Sequence, residues 1–272
     1  MIIIDGRLIA KNIRGVLKKE VGELNRPPVL AVILVGQDPA SELYTRIKEK
    51  AAMEIGIKFV KYTLPENATE QQLSDLIIKL NNDSNTNAIV IQLPLPLQID
   101  TSKIISLIKP HKDADALNEK TKITPPTVGA IMEIFSHYRI SLKDKNIVIV
   151  GHGKLVGKPL SMYFDKHGIK YEICDKNTAN LAEKTLRADV IIAGTGSPHL
   201  IKKNMVKKNV VIIDAGTAVE KTSDNKSKVL GDVDFENVQL IASYITPPTG
   251  GVGPITVAKL LENVVALAKK ND

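Results

Sequence analysis

Two series of short apolar runs, each alternating with helical periodicity, constrain this chain more than anything else in it. In the first series, runs at 29–35, 58–64 and 88–93 are separated by helical patterns at 40–55 and 69–81. In the second, runs at 146–150, 170–174, 190–193, 210–214 and 239–242 alternate with helical patterns at 155–166, 180–186 and 202–206. Strands joined through helices imply parallel sheets with right-handed crossovers. Between the series lie Pro94-Leu95-Pro96, a short helical pattern at 101–108 and a polar, irregular segment at 109–118. Pro125-Pro126-Thr127 then leads into a helix at 128–137. Helical spacing also opens the chain at 7–25, stopped by Asn25-Arg26-Pro27-Pro28, and closes it at 255–269. A helix that follows the second sheet packs most simply back on the first lobe.

The chain has 272 residues, enough for two lobes with a sizeable core. The formal net charge of +7 suits anionic ligands or solubility. The basic pairs Lys18-Lys19, Lys202-Lys203 and Lys207-Lys208 are scattered and lack interleaved aromatics, which argues against nucleic acid as a partner. One cysteine, Cys174, excludes an intrachain disulfide and a cysteine-based metal cluster; it sits in an apolar run as a small core residue. No run is long enough for a membrane helix, and MIIIDGRLIAK lacks the basic start of a secretory signal, so a cytoplasmic protein is expected.

The stretch 41–50, SELYTRIKEK, follows the first apolar run and the turn Gly36-Gln37-Asp38-Pro39. Tyr44 and Lys48 then share one helix face, a turn apart, near the carboxyl edge of a sheet where α/β folds bind ligands. A phenol and an amine so placed suit acid–base chemistry. Taken alone, the commoner reading is a Tyr packed on the sheet and a solvated Lys.

In the second series, residues 146–159 read NIVIVGHGKLVGKP. A strand ends in glycines at 151, 153 and 157, and a helix starts near Leu155. Glycines let backbone N–H groups approach a diphosphate, and the helix start adds orphan donors and a positive dipole end. The spacing departs from the usual G-x-G-x-x-G, so its strand-before, helix-after context carries the weight. Asp175 suits a ribose 2′-hydroxyl, whereas Lys176, Lys154 and His152 suit a 2′-phosphate. The turns 193–196 and 214–217 each follow a strand and reach the same edge. The expected fold is therefore α/β with two lobes and a cleft between them. An N-terminal three-layer α/β substrate lobe spans 1–120 and is completed by the helix 255–272. A C-terminal Rossmann-type nucleotide-binding lobe spans 121–250.

Several segments together resemble one family. SELYTRIK, IQLPLP, KDADALN, VGHGKLVGKP, VIIDAGT, LGDVDF and TPPTGGVGPITVAKLLEN stand in the order found in bifunctional methylenetetrahydrofolate dehydrogenase/methenyltetrahydrofolate cyclohydrolases of the FolD type. The resemblance runs from Asp5 to Asn263. It implies oxidation of 5,10-methylenetetrahydrofolate with NADP (NAD being the alternative), then hydrolysis to 10-formyltetrahydrofolate. It places the protein in one-carbon metabolism that feeds purine biosynthesis, as a homodimer whose partners are tetrahydrofolate derivatives. By the resemblance, Lys48 is the catalytic lysine, Tyr44 stacks against or hydrogen-bonds the folate, and Gln92 orients Lys48. Asp115 holds the pterin, Ile91 and Leu93 line its site, and Gly250, Gly251 and Gly253 form a folate-side loop. Gly151, His152 and Gly153, with Asp175, Lys176, Thr178 and Thr217, hold the NADP. No metal is implied.

The residue types suit that chemistry. Hydride transfer is a positioning problem, whereas hydrolysis needs a proton acceptor and then a donor. A lysine that acts as a base near neutrality must be brought down from about 10.4 by its surroundings. A glutamine can bond an amine without adding the negative charge that would oppose this. The chain departs from the family pattern at Gly151-His152-Gly153 (usually Gly-Arg-Ser), at Cys174-Asp175-Lys176 (usually Cys-His-Ser), at Pro247-Pro248-Thr249 (usually Pro-Val-Pro) and at Ala116 (usually Gly). The alternatives are another two-lobe dehydrogenase of shikimate type, which shares a substrate lobe followed by a nucleotide lobe, and a dehydrogenase without cyclohydrolase activity; the intact set Tyr44, Lys48, Gln92 and Asp115 argues against a folate or nucleotide binder without turnover. A short-chain dehydrogenase shares the Tyr–Lys spacing but carries it after its glycine turn, not before.

Overall fold

The computed structural model describes residues 1–221 and 227–270. In chain order the elements are β1 (Ile2–Ile3), α1 (Gly6–Gly22), β2 (Val29–Val35), α2 (Pro39–Glu54), β3 (Lys58–Leu64), α3 (Glu70–Asn82), β4 (Ala88–Ile91) and α4 (Thr101–Leu107). Then follow α5 (Pro126–His137), β5 (Ile147–Val150), α6 (Gly157–Lys166), β6 (Glu172–Cys174), α7 (Leu181–Arg187), β7 (Val190–Ala193) and β8 (Val211–Asp214). The hairpin β9 (Ala218–Lys221) and β10 (Ser227–Leu230), α8 (Phe235–Val238), β11 (Tyr244–Ile245) and α9 (Val252–Lys269) complete the chain.

The chain divides into two compact units: Lys11–Pro126 with Val257–Asp272, and Met1–Ala10 with Thr127–Thr256. The first holds a parallel sheet in the order β3-β2-β4. Strand alternation sorts its residues into two faces. Leu30, Val32, Ala88 and Val90 pack with Leu17 and Val21 of α1, Ala51 and Ala52 of α2, Ile55 just after it, and Leu260, Leu261 and Val264 of α9. Ala31, Ile33, Val35, Ile89 and Ile91 pack with Leu73, Ile77 and Leu80 of α3 and Ile104 of α4. Helices on both faces make three layers, which is why β2 is apolar throughout.

The second unit is a parallel six-stranded sheet in the order β1-β11-β8-β7-β5-β6. Strand order reverses at β5, which lies between β6 and β7. This switch point is where open α/β sheets bind nucleotides. The first strand comes from the N-terminus: Ile2 pairs with Tyr244 and Ile3 with Ile245. Met1–Ala10 thus group with the second series of strands, whereas the sequence reading put them with the first.

Several local expectations change. Residues 239–242 form no strand; Ala242 donates its N–H to Val238 O at 3.1 Å, and both side chains bury one helical turn apart. Residues 202–206 shrink to a single 3-10 turn, Lys203–Met205. Helix α6 begins at Gly157 rather than near Leu155, and α9 begins at Val252, taking in Gly253 and Pro254. Proline is tolerated in a first helical turn because the N–H it lacks has no intrahelical partner there.

Candidate active site

In the first unit, Gly36 turns the chain at φ 84° and Asp38 starts α2 by accepting the Ser41 N–H at 2.8 Å. Pro39 occupies the first turn. This hands the chain from the carboxyl end of β2 directly into the helix that carries Tyr44 and Lys48. Both side chains are half-buried and lie on the α2 stripe that continues to Ala51 and Ala52. Gln92 follows β4, and strand parity gives it the face of Ala88 and Val90, the face that α2 covers. Lys48 Nζ donates to Gln92 Oε1 at 3.0 Å, and Gln92 Nε2 donates to Leu93 O at 2.8 Å.

The same parity separates Ile91 and Leu93 from that pair. Their side chains pack in the cluster on the α3 face, so the structure does not bring them beside Lys48. Only their backbone flanks Gln92.

Asp115 sits at the end of a strap along β4. Ile89 donates its N–H to Lys112 O at 2.7 Å, and Ile89 and Asp113 form a parallel bridge. Three side chains that sequence reasoning passed over pin this strap. Lys112 is buried and donates to Leu80 O at 2.9 Å and Asp83 O at 2.7 Å, at the end of α3. Asp113 accepts from Asn118 N at 2.8 Å and Thr121 Oγ1 at 2.7 Å. Asn263 of α9 donates to Ala114 O at 2.9 Å and Thr124 O at 3.0 Å. Lys112 and Asp113 stand among the other polar residues of 109–118, so nothing singled them out, whereas Asn263 was marked by its polarity within the largely apolar α9.

Burial pushes the Asp115 carboxyl above its usual range; the Lys48 ammonium pulls it back and Asp113 pushes it further up. Asp115 is therefore an electrostatic neighbour of Lys48. Ala116, where the family pattern has Gly, takes φ 52°, a left-handed conformation that glycine adopts at lower cost.

In the second unit, β5 ends at the glycine turn. Gly151 has φ 98° and donates to Cys174 O at 2.7 Å. A Cβ on Gly157 would lie 1.9 Å from Gly151 O, so α6 presses directly on the turn. Nothing lies within 4 Å of a Cβ built on Gly153, and no side chain caps α6. An uncapped helix start beside open space fits a dinucleotide diphosphate. At the ribose end, Asp175 Oδ1 accepts from Asn177 N at 2.9 Å and Thr178 Oγ1 at 3.2 Å, so Asp175 and Thr178 close a turn on each other. Lys176 and Thr217 are exposed, and His152 is exposed with Nε2 3.4 Å from Ser161 Oγ. Cys174 is fully buried, and burial pushes its thiol up.

Gly250, at φ 84°, accepts the Gly6 N–H at 2.9 Å. A Cβ on Gly6 would lie 1.8 Å from Gly251 O. Gly250 and Gly251 form a loop, whereas Gly253 lies in the first turn of α9. Among the described residues, no group of three or more His, Cys, Asp or Glu is placed to hold a metal, and no helix is long and apolar enough to cross a membrane.

Residues 4–115 match the catalytic-domain family of tetrahydrofolate dehydrogenase/cyclohydrolase, and residues 125–272 match its NAD(P)-binding-domain family. The chain belongs to the tetrahydrofolate dehydrogenase/cyclohydrolase family. It is similar to the bifunctional protein FolD of Mycoplasma mycoides subsp. mycoides, 43% identical over 99% of this chain and 97% of that one. The FolD of Aquifex aeolicus is 41% identical over 99% of this chain and 96% of that one. Among solved structures, the bifunctional FolD of Campylobacter jejuni has a TM-score of 0.93 at 37% identity, covering 99% of each chain. The Trypanosoma brucei FolD complexed with NADP cofactor and inhibitor has a TM-score of 0.94 at 32% identity, covering 99% of this chain and 97% of that one. Shikimate dehydrogenase of Thermus thermophilus, at 11% identity and a TM-score of 0.53, shares the fold alone. The dehydrogenase/cyclohydrolase family thus accounts for both halves of this chain.

Proposed function

We propose that Lys48 is the proton acceptor and donor of the cyclohydrolase step, with Gln92 setting its orientation, Tyr44 beside the folate and Asp115 on the pterin edge. The enzyme oxidises 5,10-methylenetetrahydrofolate to 5,10-methenyltetrahydrofolate with NADP+ and hydrolyses that product to 10-formyltetrahydrofolate. NADP+, when bound, accepts the hydride from the methylene carbon. For hydrolysis, water adds to the methenyl carbon, and Lys48 takes the proton that water sheds. The carbon–N5 bond then breaks as Lys48 delivers that proton to N5 and the hydroxyl on the carbon releases its own proton to solvent, which leaves the formyl group on N10.

The bond of 3.0 Å from Lys48 Nζ to Gln92 Oε1 carries this reading. It fixes the amine with a neutral acceptor and leaves its remaining positions for water. The carboxylate of Asp115 offers two acceptors to the N–H groups of a pterin edge. The uncapped start of α6 and the turn Gly151-His152-Gly153 support diphosphate binding, with Asp175, Lys176, Thr178 and Thr217 around the rest of the NADP. Gly250, Gly251 and Gly253 belong to the folate side in this reading. The enzyme works in the cytoplasm, on one-carbon units that purine biosynthesis draws on. It is a homodimer, a state supported by the edge strand β6, which among the described residues has a sheet partner only in β5.

Lys48→Met tests the assignment. Methenyltetrahydrofolate hydrolysis should fall by roughly a hundredfold or more, the scale of acid–base catalysis, while NADPH binding stays. Hydrolysis at the wild-type rate would refute it. Light scattering at micromolar concentration tests the dimer, and a monomer mass would overturn it.

A further inference from the structure

We propose that Asp232 is a positioning residue for the NADP site: its carboxylate, wedged between Gly216 and Thr195, holds the turn after β7 against Gly151.

Asp232 is 1% exposed and Asp214 is 6% exposed, so both carboxylates are buried. They are clasped crosswise. Asp214, the last residue of β8, accepts from Gly216 N at 3.0 Å, Asp232 N at 3.2 Å and Val233 N at 2.9 Å. A Cβ on Gly231 would lie 2.1 Å from Asp214 Oδ2, and one on Gly216 would lie 2.1 Å from Asp232 Cγ. Each acid therefore rests on the bare Cα of a glycine beside the other acid.

Such an arrangement is costly. Like charges repel in a buried place, and Asp232 Oδ1 has no hydrogen-bond partner. The other oxygen, Oδ2, accepts the Thr195 N–H at 2.5 Å. Thr195 in turn touches the nucleotide turn: its Cγ2 is 2.9 Å, and the neighbouring Gly194 O 2.7 Å, from where a Gly151 Cβ would stand. Gly194 N is held by Val150 O at 2.9 Å. A continuous line of contact thus runs from Asp232 through Thr195 to Gly151, the first glycine of the turn.

The inference rests on the reading that the 151–153 turn holds NADP, and the experiment keeps the two apart. NADPH binding is followed by fluorescence titration in wild type, Asp232→Ala, Asp232→Asn, Gly216→Ala and Gly151→Ala. Dehydrogenase kinetics, NADP-free methenyltetrahydrofolate hydrolysis and thermal melting are measured alongside. Asp232→Ala leaves the Thr195 N–H without its acceptor and should weaken NADPH about tenfold, the scale of one buried bond to a charged group. KM for NADP+ should rise equally, while kcat stays within about threefold and hydrolysis within about twofold on that same scale. Asp232→Asn keeps an oxygen for Thr195 and should restore affinity. Gly216 has no left-handed φ, so a methyl there acts through the collision with Asp232; Gly216→Ala should reproduce the loss and decides the matter if Asp232→Ala does not fold.

Wild-type affinity in Asp232→Ala or Gly216→Ala overturns the proposal. So does an Asn variant as weak as the Ala variant, or a parallel loss of hydrolysis and NADPH binding. If Gly151→Ala also binds NADPH normally, the assignment of the turn itself fails; if Gly151→Ala alone loses binding, only the clasp fails.

Discussion

Lys48 and Gln92 are joined side chain to side chain at 3.0 Å, and a third atom decides which end of the amide meets the amine. Gln92 Nε2 is committed to Leu93 O at 2.8 Å, so Oε1 is the end turned to Lys48. The amine therefore faces an acceptor that carries no charge.

Gln92→Glu keeps the shape and the bond but places an anion on the amine. The anion stabilises the ammonium form, so the pH profile of methenyltetrahydrofolate hydrolysis should move to higher pH and the rate at pH 7 should fall at least tenfold. An unmoved profile would show that Gln92 is not electrically coupled to the step.

Asn263→Leu removes two bonds, to Ala114 O and Thr124 O, and leaves the buried Ala114 carbonyl unsatisfied. It should cost about 2–3 kcal/mol of stability, measured by urea unfolding. Because Ala114 precedes Asp115, KM for the folate should rise several-fold while KM for NADP+ holds. Equal changes in both would contradict the strap as a holder of Asp115.

Burial pushes Asp214 up to about 7 against the Val233 N–H, with the Asp232 carboxylate adding to the rise. The sign follows from linkage. Between its ordinary range and pH 7, the folded protein holds a proton at Asp214 that the unfolded chain has released. Stability from this group is full below about pH 4 and is lost as pH rises to 7, on the order of 4 kcal/mol. Asp232→Asn removes the neighbouring charge, so the decline in melting stability from pH 5 to 7 should be shallower than in wild type. An identical slope would break the coupling between the two acids.

Gly6→Ala puts a methyl 1.8 Å from Gly251 O, a backbone atom that cannot turn away. The loop at 250–251 must shift or β1 must leave its pairing with β11. A loss of at least about 3 kcal/mol is expected, the scale of severe core strain. Melting within a degree of wild type would mean that the N-terminus is not docked as described.

Much of this was legible along the chain. The strand runs at 29–35 and 58–64 match β2 and β3. Tyr44 and Lys48 share a helix face because the helical period demands it, and Gln92 meets Lys48 because strand parity puts residues 88, 90 and 92 on one side. The same parity would have warned that Ile91 and Leu93 turn the other way. The two turns at 193–196 and 214–217 were placed at one sheet edge by topology alone, but the acid that ties Thr195 down was invisible there.

Periodicity is a local property, so it reads out of a local stretch: faces, turns, the glycines that a close approach requires. Contacts between distant residues follow a different logic. Asn263 serves Ala114 across 149 positions, Ile2 pairs with Tyr244, and Asp232 reaches Thr195 across 37. Such pairs form because a buried donor or carbonyl must find a partner somewhere, and which partner is near depends on how every helix and strand has already packed. Residue order carries the repeat that builds each layer; packing alone chooses which polar groups close the gaps between them.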